Sequence, residues 1–129
     1  MEYNNYINKK LIVSEICKIA LGLNGVSEDI KWDNHLCFSV ASKMFLITIP
    51  DLAPSKASYK VADDIFYETL TKQGFLKHLY LGRYCWIHLA DINHLAEKDW
   101  LEYINESYEL VASKLSNKMR SKLKIKNTI

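Results

Sequence analysis

A chain of 129 residues is the length of one domain, and with 49% hydrophobic and 25% charged residues it has the makeup of an ordinary globular protein with a sizeable core. No apolar run approaches the roughly 20 residues of a bilayer span, and the start MEYNNYINKK lacks the basic and apolar regions of a signal peptide, so a cytoplasmic protein without membrane contact is expected. The formal net charge of +2 is uneven: residues 114–129 hold six basic and no acidic residues, which leaves residues 1–113 at −4.

Taken in order, Ile12, Ile16, Ile19 and Leu23 recur at helical spacing, with Asn8 as a cap and Gly25 just past the end. They predict an amphipathic helix over 9–23. The run LCFSVASKMFLITI predicts a hairpin with Ser42-Lys43 as its turn. Leu36, Phe38 and Val40 face one way in its first strand, and Phe45, Ile47 and Ile49 in its second. After Pro50 and Pro54, KASYK reads as a third strand with Lys56, Ser58 and Lys60 on one side. The segment DDIFYETLTKQ predicts a helix that stops at Gly74, and a second strand pair follows over 77–90, turning near Gly82-Arg83. A long helix runs from Ala96 to Leu115, burying Trp100, Ile104, Tyr108, Val111 and Leu115. Nothing beyond Leu115 continues that stripe. The core is therefore placed at about 9–115, and 116–129 reads as a basic tail without which the domain still folds.

This order describes a single α+β domain, an antiparallel sheet with helices packed on one face and the other face open. Within CWIHLA, alternation turns Cys85, Ile87 and Leu89 toward the helices and Trp86, His88 and Ala90 away. Ile87 and Leu89 should be buried while His88 keeps contact with solvent. His35, Ser39, Lys56 and Lys60 fall on the same open side, making a shallow polar surface with one large aromatic.

The chemistry of such a surface is constrained by what the chain lacks. Cys17, Cys37 and Cys85 have no CxxC spacing and lie in apolar segments, so they read as reduced core residues. His35-x-Cys37 and Cys85-x-x-His88 supply four zinc-ligand types, but Cys85 and His88 point to opposite faces, and no metal is assigned. Asp99, Glu102, Glu106 and Glu109 form an acidic stripe on the last helix, opposite its buried residues, where a solvated face belongs. No phosphate-binding glycine loop, GxSxG elbow or HExxH occurs. The expectation is a binding protein with no cofactor, not an enzyme. Lys43, Lys56, Lys60 and Arg83 surround the open face that carries Trp86 and His88, and the tail adds Lys118 and Arg120. Cations beside a stacking surface suit nucleic acid. A different class of ligand, a protein or small acidic metabolite, would use Lys60, Arg83 and His88.

Several segments carry a family likeness: NGVSED after the first helix, SKMFLI in the hairpin, SYK before the middle helix, LGRYCW, and INESYELVASKL in the last helix. Together, from about Ile12 to Leu123, they resemble the MmcQ/YjbR family, whose fold is similar to that of frataxin, the CyaY-like fold. The most specific piece is SYELV, Ser107 to Val111, some twenty residues after Trp86. The resemblance implies a DNA-binding role through hairpin wings, and the frataxin-like fold adds metal binding as a weaker alternative. This chain departs from the family pattern at Asn24, where a proline usually precedes the glycine, and at Ala41-Ser42, which replaces a glycine-bearing turn in the first wing.

Overall fold

The computed structural model describes residues 9–125. Helix α1 (Val13–Leu21) leads into strands β1 (Val26–Lys31), β2 (His35–Val40), β3 (Lys43–Ile49) and β4 (Lys56–Lys60). A short helix α2 (Phe66–Leu70), strands β5 (Leu76–Lys77) and β6 (Trp86–Leu89), and helices α3 (Glu97–Ala112) and α4 (Asn117–Lys122) complete the described residues. All strand pairs are antiparallel, in the order β1-β2-β3-β4-β6-β5. Helices α1 and α3 cover one face, so the expected α+β architecture is present. No helix among the described residues is long and apolar enough to cross a membrane.

The helix-covered face holds the main core. Phe38, Leu46, Tyr59 and Ile87 stand in one row across four strands and pack with Ile16, Trp100 and Ile104 from the helices. Ile87 and Leu89 are fully buried and His88 is half-buried, as alternation requires. The second hairpin strand departs from its expected facing. A bulge opposite Phe38-Ser39 inserts an extra residue, so Phe45 and Leu46 both join the helix-side core, whereas Ile47 packs on the opposite face with Cys37 and Trp86.

That bulge explains the SYELV segment. The Ser107 hydroxyl on α3 donates to the Phe45 carbonyl at 2.6 Å and accepts the Lys60 amide at 3.0 Å, satisfying two backbone groups at the end of the ladder. Tyr108 lies edge-on to Phe45 at 5.5 Å and donates its hydroxyl to the Asn24 carbonyl at 2.7 Å, tying α3 to the loop after α1. The family's most specific residues here are structural.

Other differences lie at the ends and edges. Helix α1 begins at Val13, with the Ile12 amide held by Glu15 Oε1 at 3.1 Å; the Asn8 cap lies outside the described residues. Strand β1 was not expected, because VSEDIK is an edge strand with four of its six residues exposed and no clean alternation. The hairpin turn is Ala41-Ser42, both at positive φ (49° and 65°), so Lys43 opens β3. The middle helix is shorter than expected, one turn of 3₁₀ over Asp63–Ile65 and then α2, and Gly74 at φ 87° follows with His94 where a Cβ would go.

The C-terminal segment packs beyond Leu115, the expected end of the core. Helix α3 ends at Ala112, the chain turns, and Ser116 caps α4 through the Met119 amide. Leu123 packs against Gly25, Ile125 is buried in the main core, and Asn24 Nδ2 donates to the Lys124 carbonyl at 2.7 Å. The core therefore extends through Ile125.

Candidate functional site

The outer face of the sheet is not open. The segment between β5 and β6, HLYLGRY, folds down over it and is held by its own backbone and by one imidazole. His78 donates its amide to the Trp86 carbonyl at 3.1 Å and accepts the Gly82 amide on its own carbonyl at 2.9 Å. Its Nδ1 accepts the amides of Tyr80 and Leu81 at 3.1 and 3.0 Å. Gly82 is buried against the Lys77 stem, which occupies the space a Cβ would need. The Lys60 ammonium ties the far end of the segment by donating to the Tyr84 carbonyl.

Leu81 closes over a small second cluster of Cys37, Ile47 and Trp86. Trp86 keeps 4% of its surface exposed, so it is not the open stacking platform expected of it. The covering loop, invisible to strand alternation, accounts for the difference. Arg120 is likewise not on the surface: its side chain is buried and its guanidinium donates to the Ala112 carbonyl, where a cation meets the C-terminal end of α3. The other expected residues are scattered. Lys43 and Lys118 are exposed, Lys56 donates to the Ala90 carbonyl at 3.0 Å, and Arg83 lies over the Tyr84 ring at 4.8 Å.

Two adjoining hollows remain on this side. One is a groove of about 520 Å³ walled in part by Lys31, Lys43, Lys60 and Lys114, with Trp32 and Tyr84, and none of its lining residues is acidic. Lys31 is shared with Asp29 at 3.4 Å. Trp32 is 59% and Tyr84 50% exposed, which is where the aromatic surface of this face lies. Trp32 and Asp33 form the β1–β2 turn at positive φ (51° and 68°). The signal was present in WDNH, a bulky aromatic beside turn-forming Asp and Asn, but with β1 unrecognised it could not be placed at a hairpin tip.

The second hollow, about 480 Å³, is lined by Trp32, His35, His78, Tyr80 and Leu81. It adjoins a recess of about 160 Å³ where Ser58 and His88 lie. Ser58 Oγ and His88 Nδ1 are 2.8 Å apart, and the His78 and His88 rings meet edge to face at 6.0 Å. Burial, reinforced by His35, holds His78 below the usual histidine pKa; burial, then His78, Lys56 and His35, does the same for His88. Both shifts favour the neutral imidazole. With Nδ1 of His78 accepting two amides, its proton sits on Nε2, which cannot ligate a metal in that state. Among the described residues no group of three or more His, Cys, Asp or Glu side chains is arranged to hold a metal ion. Burial pushes the Cys37 thiol up to about 11, and Cys85 packs on the helix side, away from His88. The acidic stripe along α3 faces away from these hollows' lining; burial and Glu102 raise the pKa of Glu106.

Comparison with known proteins places this arrangement in a family. A family model for YjbR matches residues 21–110. The chain belongs to the YjbR family. Among solved structures, the Deinococcus radiodurans protein DR2400, a DUF419 domain, superposes on this YjbR chain with a TM-score of 0.78 over 91% of each chain at 21% identity, a likeness of fold. No curated protein matches it. The YjbR match spans the hairpin tip at Trp32 and the covering loop and ends at Leu110, within SYELV and before Lys114.

Proposed function

We propose that this YjbR protein is a nucleic-acid-binding module, not an enzyme, and that it holds the backbone of a single strand in the lysine groove. The observation that carries the reading is the groove's composition: four lysines from the β1, β3, β4 and α3 segments line one hollow free of acidic side chains, with exposed Trp32 and Tyr84 on its walls. Phosphates are held by such point charges, and bases stack on such rings regardless of sequence. In this reading two hairpin ends contribute, the β1–β2 tip with Lys31 and Trp32 and the β2–β3 turn with Ser42 and Lys43. The groups expected to bind a small anion do not share one hollow: Lys60 lines the groove, His88 the neighbouring recess, and Arg83 neither.

Fluorescence anisotropy with a labelled oligothymidylate at several salt concentrations tests it. Binding should weaken with salt at a slope of about −0.7 per phosphate contact, giving roughly −2 to −3 for three or four lysines. The double variant Lys43→Glu, Lys114→Glu should abolish binding without changing the melting temperature, both residues being exposed. Absence of binding at 20 mM salt, or an unchanged slope in the double variant, contradicts the proposal.

A further inference from the structure

The lysine groove does not end blindly. Trp32 walls both it and the histidine-lined cleft, and His35, His78 and Tyr80 wall both that cleft and the deeper recess. The three hollows thus succeed one another around shared side chains, and their chemistry changes along the way, from cationic to uncharged.

None of the residues lining the cleft or the recess is a lysine, arginine or carboxylate. What enters there is a body without formal charge. It is also flat, because the walls are rings: Trp32 and His35 stand edge to face at 5.4 Å, and Tyr80 is 77% exposed beside His78. Trp32 is displayed by a left-handed backbone that a bulky residue rarely adopts, so the chain spends conformational energy to hold this ring outward. The polar groups suit an edge with both donors and acceptors. His78 keeps Nε2–H as a donor, as its Nδ1 is taken by two amides. His35 holds Asn34 Oδ1 through Nδ1 at 2.8 Å, which leaves its Nε2 to face a ligand. Ser58 and His88 form a polar pair at the floor of the recess. A volume of about 480 Å³ is within the range of small-ligand pockets.

We infer that the cleft takes one unstacked nucleobase of the strand whose phosphates lie in the lysine groove, packed against Trp32 and Tyr80 with its polar edge toward the imidazoles. This rests on the nucleic-acid reading above and deepens it: the ligand must have at least one base free of its neighbours, so a continuous duplex should bind more weakly than a single strand.

The test compares two labelled ten-unit strands with the same backbone charge, an oligothymidylate and a fully abasic tetrahydrofuran strand. The wild-type protein should bind the thymidylate about tenfold more tightly or better, the measure of stacking lost per base. His35→Ala should weaken the thymidylate toward the abasic strand and leave the abasic affinity unchanged. Should that variant fold poorly, Tyr80→Ala removes an exposed ring and serves the same purpose, since the hydrogen bond from Tyr80 to His78 is made by its backbone amide and survives the substitution. Equal affinity of the wild-type protein for both strands overturns the nucleobase cleft while leaving the lysine groove standing. Failure to bind either strand overturns the groove and the cleft together.

Discussion

The two faces of the sheet are built on different principles. The helix-covered face is closed by large apolar side chains, and where its ladder is interrupted at the bulge, one buried serine from α3 supplies both the donor and the acceptor. The outer face has a small apolar cluster of its own, Cys37, Ile47 and Trp86, roofed by a loop that hangs on an imidazole and a lysine. Stability resides on the first face, and accessible rings, lysines and histidines on the second. Changes to the first should move unfolding and spare binding, and changes to the exposed rings and lysines of the second should weaken binding and spare unfolding.

The largest effect is expected from removing residues 121–129. Leu123 and Ile125 lose their places in the core, and the cost should be about 2–4 kcal/mol, given some 1.5–3 kcal/mol per buried aliphatic side chain. Urea unfolding measures it; an unchanged midpoint would return the segment to the status of a tail. Ser107→Ala should cost about 1–3 kcal/mol by stranding the Phe45 carbonyl and the Lys60 amide. Affinity for an oligonucleotide in the folded fraction should stay at its wild-type value.

Acid should act through the outer face. Because folding holds the pKa values of His78 and His88 below the ordinary histidine value, the unfolded chain binds more protons than the native one as pH falls through about 6.5. The contribution of these neutral imidazoles is fully present above that pH and is lost as pH drops toward their folded pKa values. Melting temperature should therefore fall between pH 7.5 and 5, and His78→Gln should flatten that dependence. The smallest effect concerns the β2–β3 turn. Ser42→Gly relieves a side chain held at φ 65° and should stabilise the protein by about 0.5–1 kcal/mol, read as a raised unfolding midpoint.

The sequence disclosed the first face better than the second, for identifiable reasons. Alternation in CWIHL placed Ile87 and Leu89 under the helices and His88 outside, because β6 is regular. The same rule wrongly put Ile47 on the side of Phe45 because a bulge shifts parity without leaving a glycine or proline to mark it. Strand β1 was hidden because an edge strand with four exposed residues shows no period. Arg120 and Lys118 looked alike as charges, but only Arg120 lies where its stem is covered and its guanidinium reaches the end of α3. The candidate site suffered most. Its aromatic surface depends on a turn after the missed strand, and its cleft on a loop whose fold is set by hydrogen bonds to one histidine.

The division between the faces is tested most directly by two tryptophans. Trp100→Ala and Trp32→Ala should be compared in parallel for urea unfolding and for affinity toward a single-stranded oligothymidylate. Trp100, fully buried on the helix-covered face, should lower stability by about 3 kcal/mol or more and leave affinity in the folded fraction intact. Trp32, 59% exposed, should leave the unfolding midpoint within about 0.5 kcal/mol. Its loss should weaken binding by about 1–3 kcal/mol with the salt slope unchanged. If Trp32→Ala binds as the wild type does, or Trp100→Ala loses affinity without losing stability, the binding surface is not where this account puts it.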